Sequence, residues 1–124
     1  MCQKIAANLK VGGRFITLNN NPELPAESYA LTEKYGVSAR MNTPLTEGTP
    51  ITLTVTSPSG DEKISFDIYH LSRATYEWAL QSAGFKEIRW HYLEVSPEGI
   101  QEFGFEFWHD CINYPIIVGI ECLK

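Results

Sequence analysis

The stretch "NLKVGGRFITLNNNP", residues 8–22, decides how the chain is read. Gly12-Gly13 is a helix-ending pair, with a glycine suited to the left-handed cap position. Arg14-Phe15-Ile16-Thr17-Leu18 is an apolar run too short for a helix and bounded by turn signals, which predicts a buried strand. Asn19-Asn20-Asn21-Pro22 is loop chemistry at the strand's exit, the edge where open α/β sheets hold ligands. The glycines precede the strand, whereas a nucleotide-binding loop follows one. They therefore end a helix, predicted over residues 2–9 from Ile5, Leu9 and the helix formers Ala6 and Ala7.

Outward from this stretch the elements follow in order. Residues 19–49 are the least regular, with room for a helical turn or two between Glu27 and Tyr35 before Gly36. Ile51–Thr56 and Ile64–Ile68 alternate strictly around Ser57-Pro58-Ser59-Gly60-Asp61. This predicts a β-hairpin within residues 50–70, with one buried and one polar face. Ser72 caps a helix to about Ala83, with Tyr76, Leu80 and Ala83 on one face and Gly84 as its stop. Glu87–Val95 reads as a strand. Ser96-Pro97 opens an interrupted helix that Asn113-Tyr114-Pro115 ends. Residues 116–123 form a nearly continuous apolar strand, expected to be buried on both faces. The class is α/β with a mixed sheet, and residues 1–124 form a single domain.

The bulk numbers exclude several functions. The 124 residues are 44% hydrophobic and 20% charged, with a formal net charge of −5. A nucleic-acid backbone binder needs a basic face, and an anionic-membrane reader needs basic clusters; neither is expected here. No apolar run approaches the ~20 residues of a membrane span. Cys2, Cys111 and Cys122 are an odd set without close spacing, which suits free, buried or half-buried thiols in a reducing cytoplasm. Three histidines and three cysteines show none of the short spacings of a zinc site, so no metal is expected.

The order of these pieces resembles the C-terminal half of class I S-adenosylmethionine-dependent methyltransferases of the small-molecule type. "NLKVGGRFI" with its asparagine-rich exit is similar to the family's fifth strand and the turn before it. "HLSRATYEWALQSAGFKEIRWHYLEVSPEG" resembles its late helix and sixth strand, and "YPIIVGIECLK" its seventh, which inserts antiparallel between the fifth and sixth. The resemblance implies a partial Rossmann-like sheet with an inserted hairpin. It implies S-adenosylmethionine as cofactor of the complete protein, and methyl transfer to a small-molecule acceptor by in-line displacement. The family's glycine-rich cofactor turn and ribose-binding acid lie in its first half, and nothing here matches them. The chain alone is thus expected to bind no cofactor and to be inactive. A sheet cut beside strand 14–18 exposes a central edge, which predicts a homo-oligomer or pairing with an N-terminal half. A non-enzymatic dimerising or binding module derived from the same fold, with the hairpin face as its contact surface, is the alternative.

Candidate substrate-binding residues are Asn19, Asn20, Tyr69 and His70. Asn19 to Asn21 lie at the predicted strand exit, although Asn-Asn-Pro also makes a polar turn unaided. His70 is the one candidate catalytic base; by alternation it also continues the Ile64, Phe66 and Ile68 face and could simply close it. His91 is expected to face solvent, and His109 lies in a helix beside Trp108. Trp78, Trp90, Trp108, Phe103, Phe105 and Phe107 read as core and helix-on-sheet packing, with room for one or two of them in a substrate-pocket wall.

Overall fold

The computed structural model describes residues 1–124. Its elements are α1 (Cys2–Ala7), β1 (Arg14–Asn20), a 3₁₀ helix (Ala26–Tyr35), β2 (Val37–Met41), β3 (Pro50–Thr56), β4 (Lys63–Tyr69), α2 (Arg73–Ser82), β5 (Glu87–Tyr92), α3 (Pro97–Phe103), α4 (Phe105–Asn113) and β6 (Ile117–Leu123). The strands form two separate antiparallel sheets, ordered β1-β6-β5 and β2-β3-β4.

In the first sheet the C-terminal strand lies between the other two and runs antiparallel to both. A continuous apolar run gains most from this central place, where neighbours shield it on either side. Phe15, Cys122 and Ile88 align across the strands, as do Thr17, Ile120 and Trp90. This face packs under α1 and α2 through Ala6, Leu80, Phe85, Ile120 and Cys122, with Tyr76 and Ala83 against them. Ser72 caps α2 by accepting the Thr75 N–H at 3.2 Å, and Ser96 does the same for Gly99 at 3.1 Å.

Gly12 takes φ +83, and its N–H donates to the Lys124 carbonyl at 2.8 Å. Gly13 accepts the Lys124 N–H, and a Cβ on Gly13 would meet the Lys10 carbonyl at 2.8 Å. The glycine pair thus holds the chain's own last residue. Lys124 Nζ then donates to the Ala6 and Leu9 carbonyls at the end of α1.

Several expectations are corrected. Strand β1 continues through Asn19 and Asn20, which pair with Val118 and Ile117 of β6. Backbone pairing outweighs the weak strand preference of asparagine. The hairpin is the larger part of a three-stranded sheet, because β2, within the stretch read as irregular, pairs with β3. Strand β5 stops at Tyr92. Strand β6 is buried on both faces from Val118 to Cys122, as the apolar run predicts, but helices cover one face only. On the other, Ile16 and Leu18 are 63% and 66% exposed, and Glu121 is enclosed by neighbouring side chains of the sheet.

The hairpin's apolar face is likewise covered on one side only. Ile51 and Leu53 are buried with Leu24 and Tyr29, while Ile64 and Phe66 are exposed. Among the aromatics, Trp90 packs on the first core, but Trp78 and Phe105 face solvent. Phe103, Phe107 and Trp108 cluster around Tyr35 of the 3₁₀ helix. Gly104, at φ +83, turns α4 away from the line of α3 and places it against that helix.

Candidate functional site

The largest cleft, about 910 Å³, lies between the 3₁₀ helix and the end of β2. Leu24, Tyr29, Ala39, Met41 and Leu45 give it apolar walls, and Arg40 and His70 bring polar groups to it. Its size and mixed lining fit a small organic molecule. His70 follows the last residue of β4, and its backbone is held by Thr49 and Gly48, which fixes where the side chain leaves the sheet.

Asn20 connects the exit of β1 to this cleft. Its Nδ2 donates to the Tyr29 hydroxyl at 2.7 Å, and Tyr29 is buried. Burial pushes the Tyr29 phenol above its ordinary pKa, and the bond from Asn20 opposes that shift. The Asn20 Oδ1 is buried with no partner. Such groups are rare in folded proteins.

The other two substrate candidates lie elsewhere. Asn19 points to the helix-covered face and bonds Thr17 Oγ1 at 3.3 Å. Tyr69 is 62% exposed and projects from the polar face of its sheet. The structure therefore gathers His70 and, through Tyr29, Asn20 at the cleft, while Asn19 and Tyr69 stand apart. Asn21 has a scaffolding place: its Nδ2 donates to the Pro115 carbonyl at 3.0 Å, and its Oδ1 accepts the Glu23 N–H. Tyr29, Met41 and Leu45 were not singled out by sequence. The faint signal for Tyr29 is a large aromatic residue at 3₁₀ spacing from Thr32 and Tyr35.

A second polar cluster sits on the bare face of the first sheet. The Glu121 carboxylate meets Arg14 Nε at 3.0 Å and His91 Nε2 at 2.7 Å. The bond from His91, with the nearby Arg14 and Arg89 charges, holds its pKa below the ordinary carboxylate value. A depressed folded-state pKa contributes stability above the unfolded value of about 4.3, and that contribution is lost as pH falls through the folded value. The melting temperature of the native chain is expected to fall more steeply below pH ~4.3 than that of Glu121→Gln. Parallel curves for the two proteins would contradict this.

Neither the histidines nor the cysteines form a group able to hold a metal. Cys122 is fully buried, and burial pushes its thiol up to about 11, which leaves it unreactive at neutral pH. His109 lies 3.6 Å from Asp110 and bonds Asn113. No helix is long and apolar enough to cross a membrane.

The positive-φ glycines are Gly12, Gly36, Gly48, Gly60, Gly84 and Gly104. None of them stands in a turn that leads from a strand directly into a helix, where backbone can approach a nucleotide-like cofactor.

No protein-family model and no curated protein matches the chain. A solved structure does. It is a protein from Listeria monocytogenes carrying the provisional description S-adenosylmethionine-dependent methyltransferase. The superposition has a TM-score of 0.61 at 21% sequence identity, and it covers 99% of this chain and 53% of the other. The chain thus has the fold of about half of that methyltransferase-like protein.

Proposed function

We propose that the chain is the C-terminal part of a class I S-adenosylmethionine-dependent methyltransferase that acts on a small molecule. One observation carries this reading. The last strand is inserted antiparallel between β1 and β5, within a fold that superposes almost completely on half of a methyltransferase-like protein. The two free features of the first sheet agree with it. The outer edge of β1 has no strand partner, and the face bearing Ile16 and Leu18 has no covering layer. A complementary N-terminal half would pair with that edge and supply the cofactor cradle this chain lacks. The chain's own contribution would be the acceptor site. Apolar walls around Tyr29 and Met41 would bind the molecule, and Asn20 would hold the Tyr29 hydroxyl in place. His70 stands where it could take a proton from the acceptor.

The coding region upstream of Met1 tests this. The expected finding is an in-frame segment encoding a strand, a glycine-rich turn and a helix. An authentic start signal at Met1, with no such segment, would contradict the proposal and favour a binding module.

A further inference from the structure

We propose that the outer edge of β4 is a self-association surface, where a second copy of this chain pairs antiparallel with the first about a two-fold axis through Phe66. The proposal does not depend on the methyltransferase reading, because it concerns the second sheet alone.

Lys63 and Asp67 put charge on the polar face of this edge, but the edge has no proline, no bulge and no charge on its apolar face. Strand β4 has a partner on one side only. Edge strands of this kind ordinarily carry a bulge, a cover or an inward charge. Here Ile64 is 68% and Phe66 47% exposed, beside Val55 at 40%. By contrast, Thr32 Oγ1 of the 3₁₀ helix donates to the Val37 carbonyl at the start of β2, and this helix packs along β2.

The hydrogen-bond phase admits only registers that oppose odd-numbered residues to odd-numbered residues, and an axis through Phe66 gives one of them. The His70 N–H donates to the Thr49 carbonyl, and the Ser57 N–H donates to Glu62, so bonded pairs bracket β4 at two even-numbered residues. Bonded and non-bonded pairs alternate along an antiparallel ladder. Ile64, Phe66 and Ile68 therefore turn their backbone groups to β3, while Lys63, Ser65, Asp67 and Tyr69 present theirs outward. A two-fold through Phe66 sets Ser65 against Asp67 of the second copy and Lys63 against its Tyr69. All four are outward-facing residues able to exchange both backbone bonds.

The side chains agree with this register. Phe66 meets its own counterpart as a non-bonded pair, the closer kind, with Cα atoms about 4.5 Å apart. Ile64 meets Ile68 of the second copy on the same face. On the polar face Lys63 lies diagonal to Asp67 of the second copy, an opposite-charge pair formed twice, which outnumbers the single diagonal between the two Asp67 side chains, and no like charges stand directly opposite each other. These complementary pairs argue for a second copy as the occupant.

Sedimentation equilibrium of the native chain over a dilution series, beside Phe66→Lys and Ile16→Lys, tests this. The native chain is expected to approach twice its monomer mass. Phe66→Lys, which sets two lysines face to face on the axis, is expected to weaken the dimer at least about 100-fold with an unchanged circular dichroism spectrum. Ile16→Lys, on the bare face of the other sheet, is expected to leave the dimer intact. Oxidised Phe66→Cys is expected to give a covalent dimer that the native chain does not form, since the paired Cα atoms fall within disulfide reach. A strictly monomeric native chain would overturn the proposal. So would a dimer that survives Phe66→Lys, or one that Ile16→Lys abolishes.

Discussion

Phe85→Ala is expected to remove about 3–5 kcal/mol of folding stability, the usual range for deleting a buried phenylalanine. Phe85 is 3% exposed and stacks on Phe15 with ring centroids 6.3 Å apart. It belongs to the same core as Ala6, Leu80, Ile120 and Cys122, so its ring joins both helices to the middle strand. Its backbone is pinned as well, with its N–H donating to the Leu80 carbonyl directly after the positive-φ Gly84. The surroundings have little freedom to close over the void. A domain of this size has about 5–15 kcal/mol in total, so the variant should lie near its unfolding midpoint in mild denaturant. Urea titration at constant slope checks this. A loss below about 1 kcal/mol would mean that the two helices do not depend on this ring.

Ile51→Ala is expected to cost about 2–5 kcal/mol, but with a different footprint. Ile51 is fully buried in the second core, with Leu24, Tyr29 and Leu53. The two buried cores share no residue. The links between them include Ile116, beside β6, which packs against the second core, and the bond from Asn20 of β1 to Tyr29. Hydrogen exchange should therefore quicken in β2, β3 and β4 well before it does in β6. Equal acceleration in both sheets would show that the chain opens as one unit.

These two cores also mark where the sequence was legible. The alternation of Ile51–Thr56 and Ile64–Ile68 predicts β3 and β4 because a half-buried strand leaves a period of two. The unbroken run at 116–123 predicts the middle strand because its neighbours shield it on both sides. Serine caps and Gly84 bound α2 by local chemistry alone. Strand β2 was not legible. Val-Ser-Ala-Arg-Met carries little apolar contrast, and the residues that make it a strand are 10–18 positions away on β3. Asn19 and Asn20 read as a loop because their pairing partners lie almost a hundred residues later.

The site divides in the same way. His70 could be marked because it follows a clear hairpin. Tyr29 and Met41 could not, because the cleft forms only when an irregular segment folds onto a strand that itself lacked a signal. The bond from Asn20 to Tyr29 spans nine residues across a turn, and no periodicity announces it. The split into two sheets was equally hidden, since strand periodicity reports burial and not which strands pair.

Calorimetric titration of this chain with S-adenosylmethionine, and with its demethylated product, tests the central proposal most directly. The expected result is no saturable heat up to about 1 mM ligand, since a cofactor without its cradle binds no better than weakly. A saturable one-site isotherm in the micromolar range would contradict the half-domain account, because the cofactor site would then lie within these 124 residues.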